Sequence, residues 1–417
     1  MRSKMLGLVL LTIAAWSFAG CGGNGVTIFP ETRGLAPAIT SVEEARSPGK
    51  WTVLVYIDGD NDLEYYALRN MNQMEQVGST KDVRVVVQVD RARGYDESEG
   101  DWTDTRRYLM IRDASENLNS IRLDDPPLGE LDMADPRNLR DFVQWGKASF
   151  PAQHYCLILW DHGTGWEYRA MTARPSRKYL LLDEATDTVL NIDDLALALE
   201  GCGLDVLAFD ACFMMQLEVA YELRACATYM AGSAAATPSA GYDYEAWLRL
   251  VGPATTPLDL ARILTDTFME SYPPPTTAIA HSVLDLRQIP ELAVAASDFA
   301  AVLLENSSTK ADQLEAARRS ALNYSRLAFG SERYIVDLLD YASIAQDAVG
   351  EDADGAYRAL VRALNRVVVY EAHNPDTPTA SGLGVYMPTP KQYDPNYTRL
   401  LFAADTLWDE WIAAQTR

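Results

Sequence analysis

From residue 51 onward, short apolar runs alternate with longer stretches in which apolar residues recur every three or four positions. Trp51–Ile57, Val83–Val89, Arg106–Ile111, Tyr155–Trp160, Asp205–Phe209 and Tyr229–Gly232 read as strands. Leu63–Val77, Leu139–Ser149, Ile192–Leu199 and Phe213–Cys226 read as helices. Near-continuous apolar strands separated by helices predict a mostly parallel sheet covered on both faces, an α/β fold in three layers. After about residue 287 the pattern turns helical, with Ile289–Leu304, Lys310–Tyr324 and Ala356–Val368 rich in Ala and Leu. Gly384–Met387 is a last strand-like run, and Tyr397–Gln415 closes the chain as an amphipathic helix. The expected division is an α/β domain over 50–289 and a mainly helical region over 290–417.

The N-terminus has a different character. Arg2 and Lys4 precede a short apolar run, 5–16, followed by small residues and Cys21. This is the layout of a signal peptide, too short for a membrane span. Phe18-Ala19-Gly20-Cys21 resembles a bacterial lipobox, which predicts 1–21 as a lipoprotein signal with Cys21 lipidated. Ordinary secretion with cleavage nearby is the plainer alternative. Residues 22–49, rich in Gly, Pro, Thr and Ser, are expected to be a flexible tether. The chain would then sit outside the cytoplasm, lipid-anchored in the cell envelope. With Gly22 after the Cys, the outer membrane is its expected place where the cell has one.

The 59 acidic residues outnumber the 36 basic ones, a net charge of −23, which argues against nucleic acid as a partner. Cys156, Cys202, Cys212 and Cys226 lack C-x-x-C spacing, so zinc and thioredoxin chemistry are not indicated. In an exported chain they can pair. However, Cys156 and Cys226 lie in apolar runs that suit buried free thiols. G-x-S-x-G and H-E-x-x-H are absent, and His154, His281 and His373 show no metal-ligand spacing.

Two predicted strands run into reactive residues. Tyr155–Trp160 leads to Asp161-His162-Gly163, and Asp205–Phe209 leads to Asp210-Ala211-Cys212. Sites in parallel α/β sheets form beyond the carboxyl ends of the strands, so His162 and Cys212 are expected side by side. Cys212 would begin the helix Phe213–Cys226, whose N-terminus favours a thiolate. His162 would take the thiol proton. Gly163 allows close backbone approach and can offer its N–H to an oxyanion.

Asp161-His162-Gly163-Thr164-Gly165-Trp166 resembles the His motif of the clostripain family, and Asp210-Ala211-Cys212-Phe213-Met214 resembles its Cys motif. Tyr56–Glu64, Asp183-Glu184, Val283–Leu286, Val336–Leu338 and Gly382–Pro388, with Trp408 downstream, fit other family positions, so the likeness covers about residues 50–417. It implies a caspase-like fold and a cysteine endopeptidase with a His162–Cys212 dyad and a thioester on Cys212. The N–H groups of Gly163 and Cys212 would be the oxyanion donors. It implies that Asp210 lies near a pocket for Arg or Lys, the alternative being a strand-end residue bonding local N–H groups. It further implies a protein or peptide substrate and no required cofactor, although some members use calcium. A monomer is expected, and cleavage in the basic 169–178 loop is a candidate maturation step. In the run Asp58, Asp60, Asp62, Glu64, Leu63 and Arg69 stand where a calcium loop has Gly and its last Glu. That run is therefore expected to be a solvated turn and helix start. One departure is Ala234–Ala236, where the family often has acids; Asp243 is then a second candidate pocket acid. The rival reading is a degenerate surface lipoprotein that binds peptide or glycan without turnover.

Overall fold

The computed structural model describes residues 34–168, 179–274, 277–329 and 334–415. The signal segment with Cys21 and the 169–178 loop lie outside them. In chain order the strands are β1 (Gly49–Gly59), β2 (Val83–Arg91), β3 (Arg106–Leu109), β4 (Ile121–Arg122), β5 (Ala152–Trp160), β6 (Leu182–Asp183), β7 (Thr188–Val189), β8 (Leu204–Asp210), β9 (Ala227–Ser233), β10 (Ala280–Asp285), β11 (Ile335–Asp337), β12 (Val368–His373) and β13 (Gly384–Tyr386). The central sheet has the order β12-β10-β9-β8-β5-β1-β2-β3-β4. Its middle, from β9 to β2, is parallel, and both margins are antiparallel.

Alternate residues of the central strands face opposite layers. Leu54, Tyr56, Leu157, Leu159 and Phe209 join a buried cluster with Phe142, Leu195 and Leu217 from the helices Pro136–Ser149, Ile192–Leu199 and Leu217–Glu222. On the other face lie the helices Glu64–Val77, Tyr244–Leu250 and Pro257–Ser271, which pack against one another. Because both faces are covered, β1 is buried from Trp51 to Gly59.

The C-terminal region adds to the sheet, and two expectations need correction. Residues 290–417 supply β12, the edge strand on β10, as well as helices, and Leu35–Arg417 forms one compact unit. The closing helix is broken into Pro395–Arg399, Leu401–Asp405 and Trp408–Ala414, because Leu400 and Thr406 adopt extended backbone. The expected tether ends early. Ile39 and Ala45 are buried, and the guanidinium of Arg84 takes the carbonyls of Ala45 (3.1 Å) and Ser47 (2.6 Å), fastening this stretch to β2.

The acidic run after β1 is not solvated either. Asp58, Asp60 and Glu64 are buried, and Asp62 alone reaches solvent. The chain turns back beneath residues 182–185 instead of leaving the domain: Asp60 accepts the N–H of Ala185 (2.7 Å), and Glu64 pairs with buried Arg91 (2.6 Å). Asp58 stands opposite Asp90 across the β1–β2 register. Burial, and then neighbouring carboxylates, push the Asp58 carboxyl well above the carboxylate range. Burial likewise pushes Asp60 up to about 7 and Asp90 up to about 9. A carboxyl raised in the fold stabilises fully below its unfolded value near 4, and that contribution is lost as pH climbs to the folded value. Asp90→Asn mimics the protonated acid. Its melting temperature should therefore exceed the parent's by a margin that widens from pH 5 to pH 9. A constant margin in thermal melts would show that Asp90 is already ionised in the fold.

Candidate active site

Strands β5 and β8 are parallel neighbours with Trp160 opposite Asp210. Each chain then runs two residues past the sheet, to His162 and to Cys212. Adjacent strands lie about 4.8 Å apart, so this register alone brings the two segments together. The N–H of Asp161 donates to the carbonyl of Asp210 (3.3 Å), carrying the pairing one step beyond the strands. His162 and Cys212 line one cleft with Leu63, Asp210, Thr237 and Gly241.

Gly163 is required by close approach. A Cβ there would stand 2.4 Å from the carbonyl oxygen of Cys212 and 2.9 Å from its nitrogen. The His segment thus lies directly on the Cys backbone, and the two expected oxyanion donors belong to touching residues.

The surroundings of Cys212 differ from expectation. The helix after it spans only Leu217–Glu222, so Cys212 does not sit at its N-terminus. Phe213 is the reason. It sits in the left-handed region at φ +60°, which an α-helix excludes. Such a conformation costs on the order of 1–3 kcal/mol. It is held by burial of the ring and by the Phe213 N–H bond to Ala235 O (3.0 Å). The sulfur instead meets Thr237, whose N–H donates to Sγ at 3.2 Å. The carbonyl of the same residue lies 3.6 Å from Sγ, so both backbone groups of Thr237 face the sulfur. Thr237 also donates its hydroxyl to Ala211 O (3.1 Å). Nothing in the sequence marked Thr237 apart from the turn residues that follow it.

Asp210 is buried at the cleft. Its carboxylate accepts the N–H of Tyr242 (3.0 Å) and the hydroxyl of Tyr244 (3.1 Å). Gly241, at φ +63°, packs against it. Burial pushes this carboxyl up to about 7, while those hydrogen bonds pull it down. Asp243 is placed otherwise: its carboxylate caps the helix Tyr244–Leu250 by accepting the N–H of Ala246 (2.9 Å). Ala234 and Ala235 point into the core around the Cys turn, and the cleft wall is built from Thr237 to Ser239.

Two further side chains organise the rim. His162 Nε2 lies 2.8 Å from Asp62 Oδ1. Asn61, fully buried, donates to Asp161 Oδ1 (2.8 Å), to Asp58 O (3.2 Å) and to Leu182 O (3.1 Å). The Asn-Asp pair after β1 was the available signal, and its pairing with residues 100 positions away was not readable. Among the described residues, no group of three or more His, Cys, Asp or Glu side chains is arranged to hold a metal ion. Cys156, Cys202 and Cys226 are buried free thiols, as expected for Cys156 and Cys226.

A model of the clostripain family, Peptidase C11, matches residues 55–414. Clostripain of Hathewaya histolytica is 29% identical over 202 residues, a stretch covering 45% of this chain and 38% of that protein. The match therefore spans well under half of that relative's length. A secreted C11 cysteine protease from Bacteroides thetaiotaomicron, solved with an irreversible peptide inhibitor, superposes with a TM-score of 0.64 at 20% identity, covering 88% of this chain and 99% of that one. An inactive zymogen C11 protease from Parabacteroides distasonis gives 0.64 at 22% identity, covering 86% and 99%. At these identities the likeness is one of fold, the caspase-like α/β sandwich expected from the sequence.

Gly163→Ala tests the contact between the two segments. The added methyl must displace the Cys212 backbone, an overpacking cost of about 1–3 kcal/mol. A melting temperature lowered by a few degrees and slower alkylation of Cys212 by iodoacetamide are expected. Parent-like values for both would show that the segments do not touch.

Proposed function

This chain belongs to the clostripain family, and on that premise we propose that it is an extracytoplasmic cysteine endopeptidase with a His162–Cys212 dyad. The observation that carries the proposal is the β5–β8 register, which ends both strands at one cleft. The Cys212 sulfur attacks the scissile carbonyl carbon while His162 takes the thiol proton. The oxyanion draws on the N–H groups of Gly163 and Cys212. His162 returns its proton to the leaving amine, and the acyl group stays on sulfur as a thioester. Water then hydrolyses the thioester, with His162 accepting the proton.

Asp210 is the proposed selector for Arg or Lys before the scissile bond. A buried carboxylate attracts a cationic side chain through a charge-assisted contact. Its raised value makes selection pH-dependent, because the carboxyl becomes carboxylate as pH rises through about 7. Asp243, committed to its helix cap, is not proposed for this role. The substrate is proposed to be a protein or peptide. The location follows from the N-terminal segment: Cys21 is proposed to carry a lipid anchor in the cell envelope. Secretion of the Bacteroides thetaiotaomicron protein of the same fold accords with a place outside the cytoplasm. Among the described residues no helix is long and apolar enough to cross a membrane.

A soluble form beginning near residue 34 retains the packed Ile39 and Ala45. It should cleave peptides after Arg or Lys, and Cys212→Ala or His162→Ala should abolish cleavage. Undiminished cleavage by Cys212→Ala would remove the dyad. Asp210→Asn should lower kcat/KM for basic substrates roughly 10- to 100-fold, the worth of a hydrogen bond to a charged group. KM for those substrates should fall from pH 6 to pH 8 in the parent and stay flat in Asp210→Asn. Cleavage confined to other residues would keep the peptidase and discard the basic pocket.

A further inference from the structure

We infer, on the footing of the dyad proposed above, that Asp62 is a positioning residue for His162, so that the site works as a Cys–His–Asp relay. The two side chains meet at 2.8 Å, Asp62 Oδ1 to His162 Nε2, from segments 100 residues apart.

The contact is built rather than incidental. Asp62 sits in the turn between β1 and the helix Glu64–Val77, and that turn is fixed on both sides of it. Asn61 accepts the N–H of Leu63 (2.9 Å) and donates to Asp58 O (3.2 Å), which sets the shape of the turn. The same amide donates to Asp161 Oδ1, and Asp161 directly precedes His162. Asn61 and Asp161 therefore clamp the segment carrying the carboxylate to the segment carrying the imidazole. Neither side chain has to search for the other, so little conformational entropy is lost when they pair. The imidazole is well covered, with 10% of its side chain exposed, whereas Asp62 is 44% exposed.

The chemistry follows from the ring. With Nε2 directed at the carboxylate, the relay to Cys212 runs through Nδ1. The proton leaves Sγ for Nδ1, Nε2 keeps its own proton hydrogen-bonded to Asp62, and the imidazolium forms beside a carboxylate that stays ionised. The Nδ1 proton then passes to the leaving amine, and Asp62 ends each turnover unchanged. A carboxylate in this place fixes the tautomer and favours the imidazolium. Its exposure to water makes the effect smaller than that of a buried partner.

The test uses the same soluble protein with Asp62→Ala, Asp62→Asn and Asp62→Glu. Two quantities are read across pH: turnover of the peptide that the parent cleaves, and the rate of Cys212 alkylation by iodoacetamide. Asp62→Ala is expected to lower kcat about tenfold with KM unchanged, and to move the imidazole limb of both pH profiles to lower pH. Asp62→Asn keeps an acceptor without charge and should fall between Ala and parent. Asp62→Glu should restore most of kcat. Unchanged kcat and unchanged profiles in Asp62→Ala would overturn the inference and leave an incidental surface pair. A rise in kcat would also overturn it, because Asp62 would then be restraining the imidazole. Absence of Cys212-dependent turnover in the parent would instead strike the dyad itself. In that case the alkylation profiles still decide whether Asp62 acts on the imidazole.

Discussion

Everything at the cleft depends on the register between two parallel strands. Trp160 faces Asp210 across β5 and β8, and each chain leaves the sheet two residues before its reactive side chain. A slip of one residue would turn each inward side chain outward and separate His162 from Cys212. The register is held by burial. Leu157, Leu159, Leu207 and Phe209 are buried on one face, so sliding β8 would pull large apolar side chains out of that layer.

The loops beyond the strands are crowded, and one residue in them is strained. Phe213 adopts a backbone conformation that suits glycine, while Gly163 and Gly241 press their Cα atoms against Cys212 and Asp210. Such crowding persists only where the surroundings over-determine it. Part of that support comes from the far end of the chain. The Gly384 N–H donates to Met215 O (2.9 Å), and buried Glu218 accepts the N–H of Tyr386 and the hydroxyl of Tyr397, both at 2.9 Å. Trp166, in the His segment, meets the rings of Tyr386 and Tyr397 at 4.8 and 4.9 Å. The C-terminal motif is thus the buttress of the loops that carry His162 and Cys212.

The acids at the carboxyl edge show a second tension. Asp58, Asp60, Asp90 and Asp161 are withdrawn from water where their charges repel. The fold retains them as hydrogen-bond acceptors that tie turns together, Asp161 through Asn61 and Asp60 through Ala185. This edge accepts an electrostatic cost in return for a rigid floor beneath His162.

The sequence alone determined the parallel core and the two strand ends that carry His162 and Cys212. Buried apolar runs separated by helices mark the strands of a parallel sheet, and the carboxyl ends of parallel strands gather at one edge whatever their order. Local patterning also put Gly163 just past the one strand and Asp210 at the end of the other. Four matters were decided only by tertiary structure. Phe213 looked like the start of a helix because an apolar run reads the same whether it coils or plugs a core. The acids after β1 looked solvated because charge is ordinarily exposed, and only the return of residues 182–185 over Asp60 and of Arg91 over Glu64 covers them. Asp243 looked available until its own helix claimed it. Thr237 and Asp62 reach the Cys212 sulfur and the His162 ring across 25 and 100 residues. Contacts of that span leave no periodic trace, because they arise from where the sheet sends the chain and not from the residues beside them.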